Sequence, residues 1–562
     1  MAGGVVITGT ADVGRVEAPV TFKAYLICAF AAFGGIFFGY DTGWMSGVLA
    51  MPYFISLYTG VPYDYNAVNA DGTIGAPIGI AKGDFTLPSA TQSLFTSILS
   101  CGTFFGALVG GDIADFVGRR PTIISGCFVF IVGCILQIAS TDQEVLFVFG
   151  RLIAGAGVGF ISAVVILYMS EIAPKKVRGA MVSGYQFCIT IGILLANCVV
   201  YGTQSRPDSG SYRIPIGIQF LWAIVLGVGL FILPESPRYF VKKGKIEEAA
   251  KALAYVRGQP LDSDFVKDEL AEIVANNEFE MQNLPQTSYI GSWTACFKGS
   301  LSQGNSSLRR TLLGTGLQMM QQLTGINFSA IAQKRNDEDF RIVFFKQLGT
   351  ISNPFLISLV TTLVNVLSTP ISFYTIEKFG RRALLITGAS GMIIAQFIVG
   401  AIGVTVGREE AHNNAAAQAM IAFICINIAF FATTWGPTAW VVVGEVFPLP
   451  IRSRGVGIST ASNWFWNTII AVITPYLVGE DEANLGAKVF FLWGSLCCIS
   501  LTFAYFLVPE LKGLSLEQAD MCMQEVSPRY SGKWKPSHTF AAEMHHVEDN
   551  AALVNNTIEE KV

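Results

Sequence analysis

An all-α membrane protein is the fold class that this sequence predicts, and three observations carry that expectation. Of 562 residues, 52% are hydrophobic and only 14% charged, where a soluble protein carries about 25% charged residues. Uncharged apolar runs of about 20 residues, long enough to cross a bilayer as helices, fall near 24–40, 91–111, 121–140, 152–170, 180–203 and 214–234. After a polar gap, six more follow near 311–332, 351–376, 383–406, 415–443, 456–478 and 488–508. The layout is therefore a tail (1–23), a six-helix half (24–234), a linker (235–310), a second six-helix half (311–508) and a tail (509–562).

Composition also excludes function classes. A net charge of −4 gives nucleic-acid binding no electrostatic support. Residues 1–20 lack the basic start and apolar core of a cleavable signal peptide. Nine of the 11 cysteines lie in apolar spans without metal-ligand spacing and read as small buried hydrophobes. With four histidines, three of them in the C-terminal tail, no metal site, cofactor or enzymatic constellation is expected.

Basic residues in short loops set the orientation. Arg119, Arg120, Lys175, Lys176, Arg178, Arg381, Arg382, Arg452 and Arg454 all fall on one side of a twelve-span count. Both termini and the linker are then expected in the cytoplasm. The sequons at Asn305 and Asn555 lie on that same side and read as chance matches.

The halves repeat each other. "ADFVGRR" (114–120) matches "IEKFGRR" (376–382), with an acid three residues before Gly and four before Arg. "EIAPKKVRG" and "EVFPLPIRSRG" place Glu171, Pro174 and Arg178, and Glu445, Pro448 and Arg452, at identical offsets. "PESPR" and "PELKG" follow 63 and 64 residues after those glutamates. Parallel repeats around a central site are a transporter architecture. The charges Asp115, Arg119, Arg120, Glu171 and Arg178, echoed by Glu377, Arg381, Arg382, Glu445 and Arg452, lie at helix ends, where the cluster of Asp115, Arg119 and Arg120 can pair with Glu171 or Arg178 of a neighbouring helix pair. Charges that make and break pairs there suit a two-state gate. Between the halves, "KIEEAAKALAYVRG" and "DFVKDELAEIVANNEFEMQ" read as amphipathic helices of a cytoplasmic bundle.

Together with "GGIFFGYDTG", "RLIAGAGVGF", "PESPRYF", "QQLTGIN", "WGPTAWVVVGEVFP" and "PELKGLSLEQ", these motifs make the chain resemble the sugar porters of the major facilitator superfamily. Within them it is most similar to fungal high-affinity hexose transporters, over about residues 20–520. The resemblance implies two six-helix bundles with a sugar site between them near the bilayer midplane.

The residues agree with that site. A sugar offers hydroxyls and a flat apolar face, so it calls for uncharged amides and aromatic platforms. Gln186 and Asn197 share a face of the fifth span. Gln318, Gln321 and Gln322 share a face of the seventh, followed by Asn327; Asn365 lies in the eighth, Trp440 in the tenth, and Asn463 with Trp464 in the eleventh. By family position, Gln186, Gln321, Gln322, Asn327, Asn365, Trp440 and Asn463 are the implied sugar contacts. Asp41 ends the first span, and an intramembrane carboxylate is functional by default. Arg151 opens the fourth span above the small residues Gly155 and Gly159. The resemblance implies that an acid at Asp41 pairs with this arginine in proton-coupled members, so that separating the two drives protonation.

One stretch departs from the family. "GINFSAIAQKRNDEDFRIVFF" (325–345) places six charges between Lys334 and Arg341, and each would cost about 2.5–3.5 kcal/mol at a helix centre. Residues 311–332 alone give about 33 Å of helix, enough to span, so the charges are expected in an extracellular loop. Residues 329–343 replace an aromatic segment about half as long that closes over sugar in the family. Unspliced intron sequence joined in frame is the expected origin, and a genuine variant loop is the alternative. The expected function is inward hexose transport, with glucose first, by proton symport at the plasma membrane. A sugar sensor and a passive facilitator are the alternatives; the expected partners are a sugar, protons and the lipid bilayer.

Overall fold

The computed structural model describes residues 19–68, 74–80, 85–283, 289–301, 303, 306–326, 354–405, 414–478, 483 and 485–537. The first half comprises helices α1 (Phe22–Val48), α2 (Ala90–Phe116), α3 (Arg119–Ala139), α4 (Glu144–Ile172), α5 (Arg178–Thr203) and α6 (Gly210–Leu230). In the linker stand α7 (Ile246–Arg257) and α8 (Asp264–Asn283). The second half holds α9 (Ser307–Leu323), α10 (Pro354–Ser368), α11 (Ile371–Phe379), α12 (Arg381–Thr405), α13 (Asn414–Thr433), α14 (Trp435–Val446), α15 (Arg452–Val478) and α16 (Val489–Leu507). The short helix α17 (Leu516–Glu525) follows.

Among the described residues, nine helices are long and apolar enough to cross a bilayer, or ten if the pair Leu359–Ser368 and Ile371–Phe379, bent by 41°, forms one span. Helix α9, 17 residues long, falls outside that count by its length, and α15 does so because Asn, Ser and Thr dilute its apolar content. Those polar residues face the interior, where they build the site described below.

Close helix packing follows from small residues. A Cβ on Gly39 of α1 would lie 2.0 Å from the Ile189 carbonyl oxygen of α5. One on Gly155 of α4 would lie 2.2 Å from the Leu99 carbonyl oxygen of α2. Only glycine lets these backbones touch, the usual device of helix contacts in lipid.

Two features depart from the sequence expectation. The seventh span, read as continuous over 311–332, ends as a helix at Leu323. Gly325 turns left-handed (φ 78°), with the Trp493 ring packed where a Cβ would sit. The charged stretch 329–343 lies outside the described residues. An antiparallel hairpin, Tyr63–Val68 with Ile74–Pro77, also stands between α1 and α2. Its Tyr63 ring stacks on Phe85 at 5.2 Å.

Candidate functional site

Helix α9 presents Gln318, Gln321 and Gln322 at the one-face spacing of three and four residues. Asn463 of α15 gathers all three. Its Nδ2 donates to Gln318 Oε1 (2.6 Å) and Gln321 Oε1 (2.8 Å), and its Oδ1 accepts from Gln322 Nε2 (3.0 Å). Gln321 Nε2 donates in turn to the carbonyls of Trp435 (3.1 Å) and Gly436 (2.9 Å) at the start of α14. Gln186 of α5 faces this helix start from the other half, its amide carbon 3.4 Å from where a Gly436 Cβ would stand.

Aromatic rings wall the cage. Trp440 is buried and meets Tyr185 edge-on at 6.0 Å. Trp464 meets Phe38 edge-on at 5.0 Å and donates to Ser162 Oγ (3.4 Å), again across the halves. Ser100 donates to Asn467 Oδ1 (2.8 Å), and Asn197 donates to Thr362 Oγ1 (3.0 Å), adding two more cross-half bonds. Gln318 Nε2 and Asn365 Oδ1 are buried without a partner. Neutral donors and acceptors beside ring faces, with no formal charge among them, suit a neutral polyhydroxylated ligand. Asn327 lies outside the described residues.

Asp41 and Arg151 are both buried, but they do not form the expected ion pair. Asp41 Oδ1 accepts from Trp44 Nε1 at 3.2 Å, and its Oδ2 has no partner. Arg151 Nε donates to the Phe95 carbonyl at 2.8 Å, and its guanidinium carbon lies 5.3 Å from the Trp44 ring centre. The indole thus touches both charged groups.

The second cluster lies at the ends of α2 and α4 and their counterparts α11 and α14. Arg119 grips Glu171 through Nε (2.9 Å) and a second nitrogen (2.8 Å); Arg381 grips Glu445 in the same way (3.2 and 2.8 Å). Glu235 accepts the backbone N–H of Arg120 (3.0 Å), and Glu510 accepts those of Arg381 (2.8 Å) and Arg382 (3.1 Å). Each acid thus satisfies donors at a helix start. Gly118 and Gly380 (φ 112° and 92°) leave the room, since a Cβ there would approach Glu235 Oε2 to 2.4 Å and Glu510 Oε2 to 2.3 Å.

Other bonds cross between the halves. Asp115 accepts from Lys242 (2.6 Å), from Arg454 (2.9 Å) and from Ser453 (3.2 Å). Glu377 accepts the backbone N–H of Ala180 (3.0 Å), and Arg178 donates to the Leu514 carbonyl (3.2 Å). Arg238 of the linker binds Glu517 of α17 (2.9 Å). Burial alone would push the Glu517 carboxyl up, but Arg238 leads the cations that overrule it and hold the group at about 2. Arg310 pairs with Asp520 beside Glu280, whose carboxyl is pushed up by burial and then by Asp520.

Of the pairings expected between the cluster Asp115, Arg119 and Arg120 and Glu171 or Arg178, Arg119 with Glu171 forms, while Asp115 takes Arg454 and Ser453 of the other half and Lys242 of the linker. Arg178 and Arg452 instead lie in the field of the opposite half's buried glutamate, Glu445 and Glu171 respectively. Arg120 and Arg382 stay outside the inter-half cluster: their side chains donate to the Phe231 and Tyr505 carbonyls of their own halves (3.0 and 2.6 Å).

The family described as "Sugar (and other) transporter" matches residues 27–522. The chain belongs to that family, the sugar porters of the major facilitator superfamily. The transporter is 44% identical to the major facilitator-type transporter ecdD of Aspergillus rugulosus, over 92% of this chain and 90% of that one. It is 39% identical to the high glucose sensor RGT2 of Saccharomyces cerevisiae (91% and 62% covered) and to the probable glucose transporter rco-3 of Neurospora crassa (92% and 82%). A solved structure of the proton:xylose symporter XylE bound to 6-bromo-6-deoxy-D-glucose shares the fold, with a TM-score of 0.69 at 23% identity over 89% of this chain and 98% of that one.

Several of the transporter's site residues carry no gate role in the sequence reading, Arg454 among them, which is read there only as an orientation charge. Lys242, Arg454, Asp112, Arg238 and Glu517 complete the charged cluster, Asp112 through Arg454 Nε (2.9 Å). Arg238 and Glu517 sit inside the quoted motifs "PESPRYF" and "PELKGLSLEQ", so their charge was a usable signal. Trp44 stands one turn beyond Asp41, the spacing that puts two side chains on one helix face.

Proposed function

We propose that this sugar porter is a twelve-span plasma-membrane carrier that moves a hexose, glucose first, inward together with a proton. One observation carries the reading: an uncharged amide cage, Gln318, Gln321, Gln322 and Asn463, is tied to the start of α14, the helix that carries Trp440, and faces Gln186 of the other half there. Several relatives are known as glucose transporters, and the xylose carrier of the same fold is a proton symporter. In this reading Gln186, Gln321, Gln322, Asn327, Asn365, Trp440 and Asn463 hold the sugar, and Asp41 carries the proton near Arg151. The cross-half charges close the cytoplasmic end, and the two halves rock about the cage by alternating access.

Labelled-hexose uptake in a yeast lacking its own hexose carriers tests this, with and without an uncoupler. The chain as written and one repaired at 329–343 with a short aromatic segment should be compared. Uncoupler-sensitive accumulation by the repaired chain is the expected result. Equilibration without accumulation points to a facilitator. Hexose-dependent signalling without uptake points to a sensor.

A further inference from the structure

Trp44 touches both members of the charge couple at once. Its indole N–H donates to Asp41 Oδ1 (3.2 Å), while the Arg151 guanidinium carbon lies 5.3 Å from its ring centre. All three side chains are buried, with Asp41 and Trp44 at 0% exposure and Arg151 at 1%. Among the described residues Asp41 and Arg151 form no ion pair, and Asp41 Oδ2 and one terminal guanidinium nitrogen of Arg151 lack partners.

A carboxylate and a guanidinium buried this close attract strongly if nothing intervenes. A carboxylate served only by neutral side chains, Trp44 and Gln219, is costly in such a site. The arrangement therefore suits a protonated Asp41 with the aromatic ring keeping the arginine away. The ring face in turn stabilises the guanidinium.

The groups facing Asp41 are few. Arg151 comes from α4 and Cys134 from α3, where its thiol donates to Gln219 Oε1 of α6 (3.2 Å); Gln219 also borders Asp41. Tyr40 on the same helix is committed to the Pro215 carbonyl (3.1 Å). Helix α5 brings Gly192, Ile193 and Ala196 against this part of α1, none of them titratable.

We propose that Trp44 is a positioning residue that stands as a wedge between Asp41 and Arg151 in the proton-loaded carrier. When the indole swings away, Arg151 closes on Asp41, the O–H bond of the acid breaks, and its proton leaves to water as the ion pair forms. The proposal rests on the proton-coupled reading above.

Two substitutions separate the functions of the indole, and they move the titration in opposite directions. Trp44→Phe keeps a ring in place and loses the N–H donor. A hydrogen bond to the charged form favours that form, so its loss moves the midpoint for protonating Asp41 to higher pH. Trp44→Ala removes the wedge, admits the ion pair and moves the midpoint to lower pH, by about one unit or a tenfold change in proton concentration.

The pH profile of hexose accumulation by the full chain reads this in cells. In purified protein, the pH dependence of the carboxylic-acid C=O infrared band reads it directly, with Asp41→Asn identifying the band by its loss. Opposite shifts, with the sugar KM unchanged in Trp44→Phe, are expected. A midpoint unmoved in both variants, or moved in the same direction by both, overturns the wedge. If the parent chain shows no uncoupler-sensitive accumulation while the infrared midpoints still shift oppositely, the symport reading fails and the wedge stands. Should Trp44→Ala not fold, an upward shift in Trp44→Phe supports the N–H role, and an unmoved midpoint there removes it.

Discussion

Arg119 on Glu171 and Arg381 on Glu445 are one bidentate pair built twice, while Asp115 and Glu377, at equivalent places in the repeat, take different partners. Glu377 stays near Arg381 (3.4 Å) and reaches only a backbone N–H of the first half. Asp115 leaves its own half for Arg454 and takes Lys242 of the linker as well. Arg238 likewise has no twin, because Gly513 holds its place in the second motif. Duplicated contacts hold each half rigid. Most unduplicated contacts span the interface, and these must break when the charged end opens.

The largest effect should come from the duplicated pairs. Arg119→Ala or Arg381→Ala leaves a buried glutamate unpaired, which costs about 3–5 kcal/mol. Both should lower the melting temperature and surface expression to a similar degree. Normal stability in either variant would break the symmetry of the two halves.

The interface should respond differently. The double variant Arg238→Gln/Glu517→Gln removes the pair that ties the linker to the C-terminal tail, without stranding a charge. It should keep a melting temperature near the parent's, while the distance between spin labels on the exposed Lys243 and Lys512 lengthens in part of the population. An unchanged distance distribution would assign this pair to the linker's own folding.

A smaller contrast separates the amides. Gln186 and Asn365 are not tied into the cage, so Gln186→Ala and Asn365→Ala should weaken sugar binding about two- to tenfold, the loss of one neutral hydrogen bond each. Asn463→Ala removes one hydrogen bond from each of three glutamines and should lower thermal stability as well. Retention of Gln186→Ala inside the cell would make that residue a packing element.

The smallest effect is a null one. A depressed carboxylate contributes stability above its unfolded pKa and loses it only as pH falls through its folded value. Glu517, held at about 2, should keep its pair with Arg238 from pH 7 to pH 5. Spin-label distances at the charged end should therefore not move over that range. Glu280, pushed up by burial and by Asp520, is protonated at neutral pH, so Glu280→Gln should leave stability close to the parent's.

Periodicity and motif register made the helices, the repeat and the within-half partners legible, because each depends on spacing along one or two helices. The offsets of Glu171 and Glu445 foretold chemically identical roles. Asp115 was assigned to near neighbours because its partner Arg454 depends on how two rigid halves meet, which no local period encodes. Trp44 carries no charge to mark it, and its part in the site rests on contacts with Asp41 and Arg151 that only the packing of α1 against α4 brings together. The break at Gly325 escaped because the apolar run continues through it. The hairpin at 63–77 escaped because only Tyr63 and Tyr65 alternate with polar residues, too short a run to outweigh the helical pattern around it.

The bonds across the charged end also bear on apparent affinity. A ligand that must wait for a rare conformation binds more weakly by the fraction of molecules that hold it. With Asp115, Arg454, Arg238 and Glu517 engaged before any sugar arrives, one conformation already dominates the empty carrier. A sugar meeting the cage from the opposite end then finds most molecules competent, and its measured Kd approaches the intrinsic one. The cost falls on the return step, where the unloaded protein must undo those same bonds without a ligand's help.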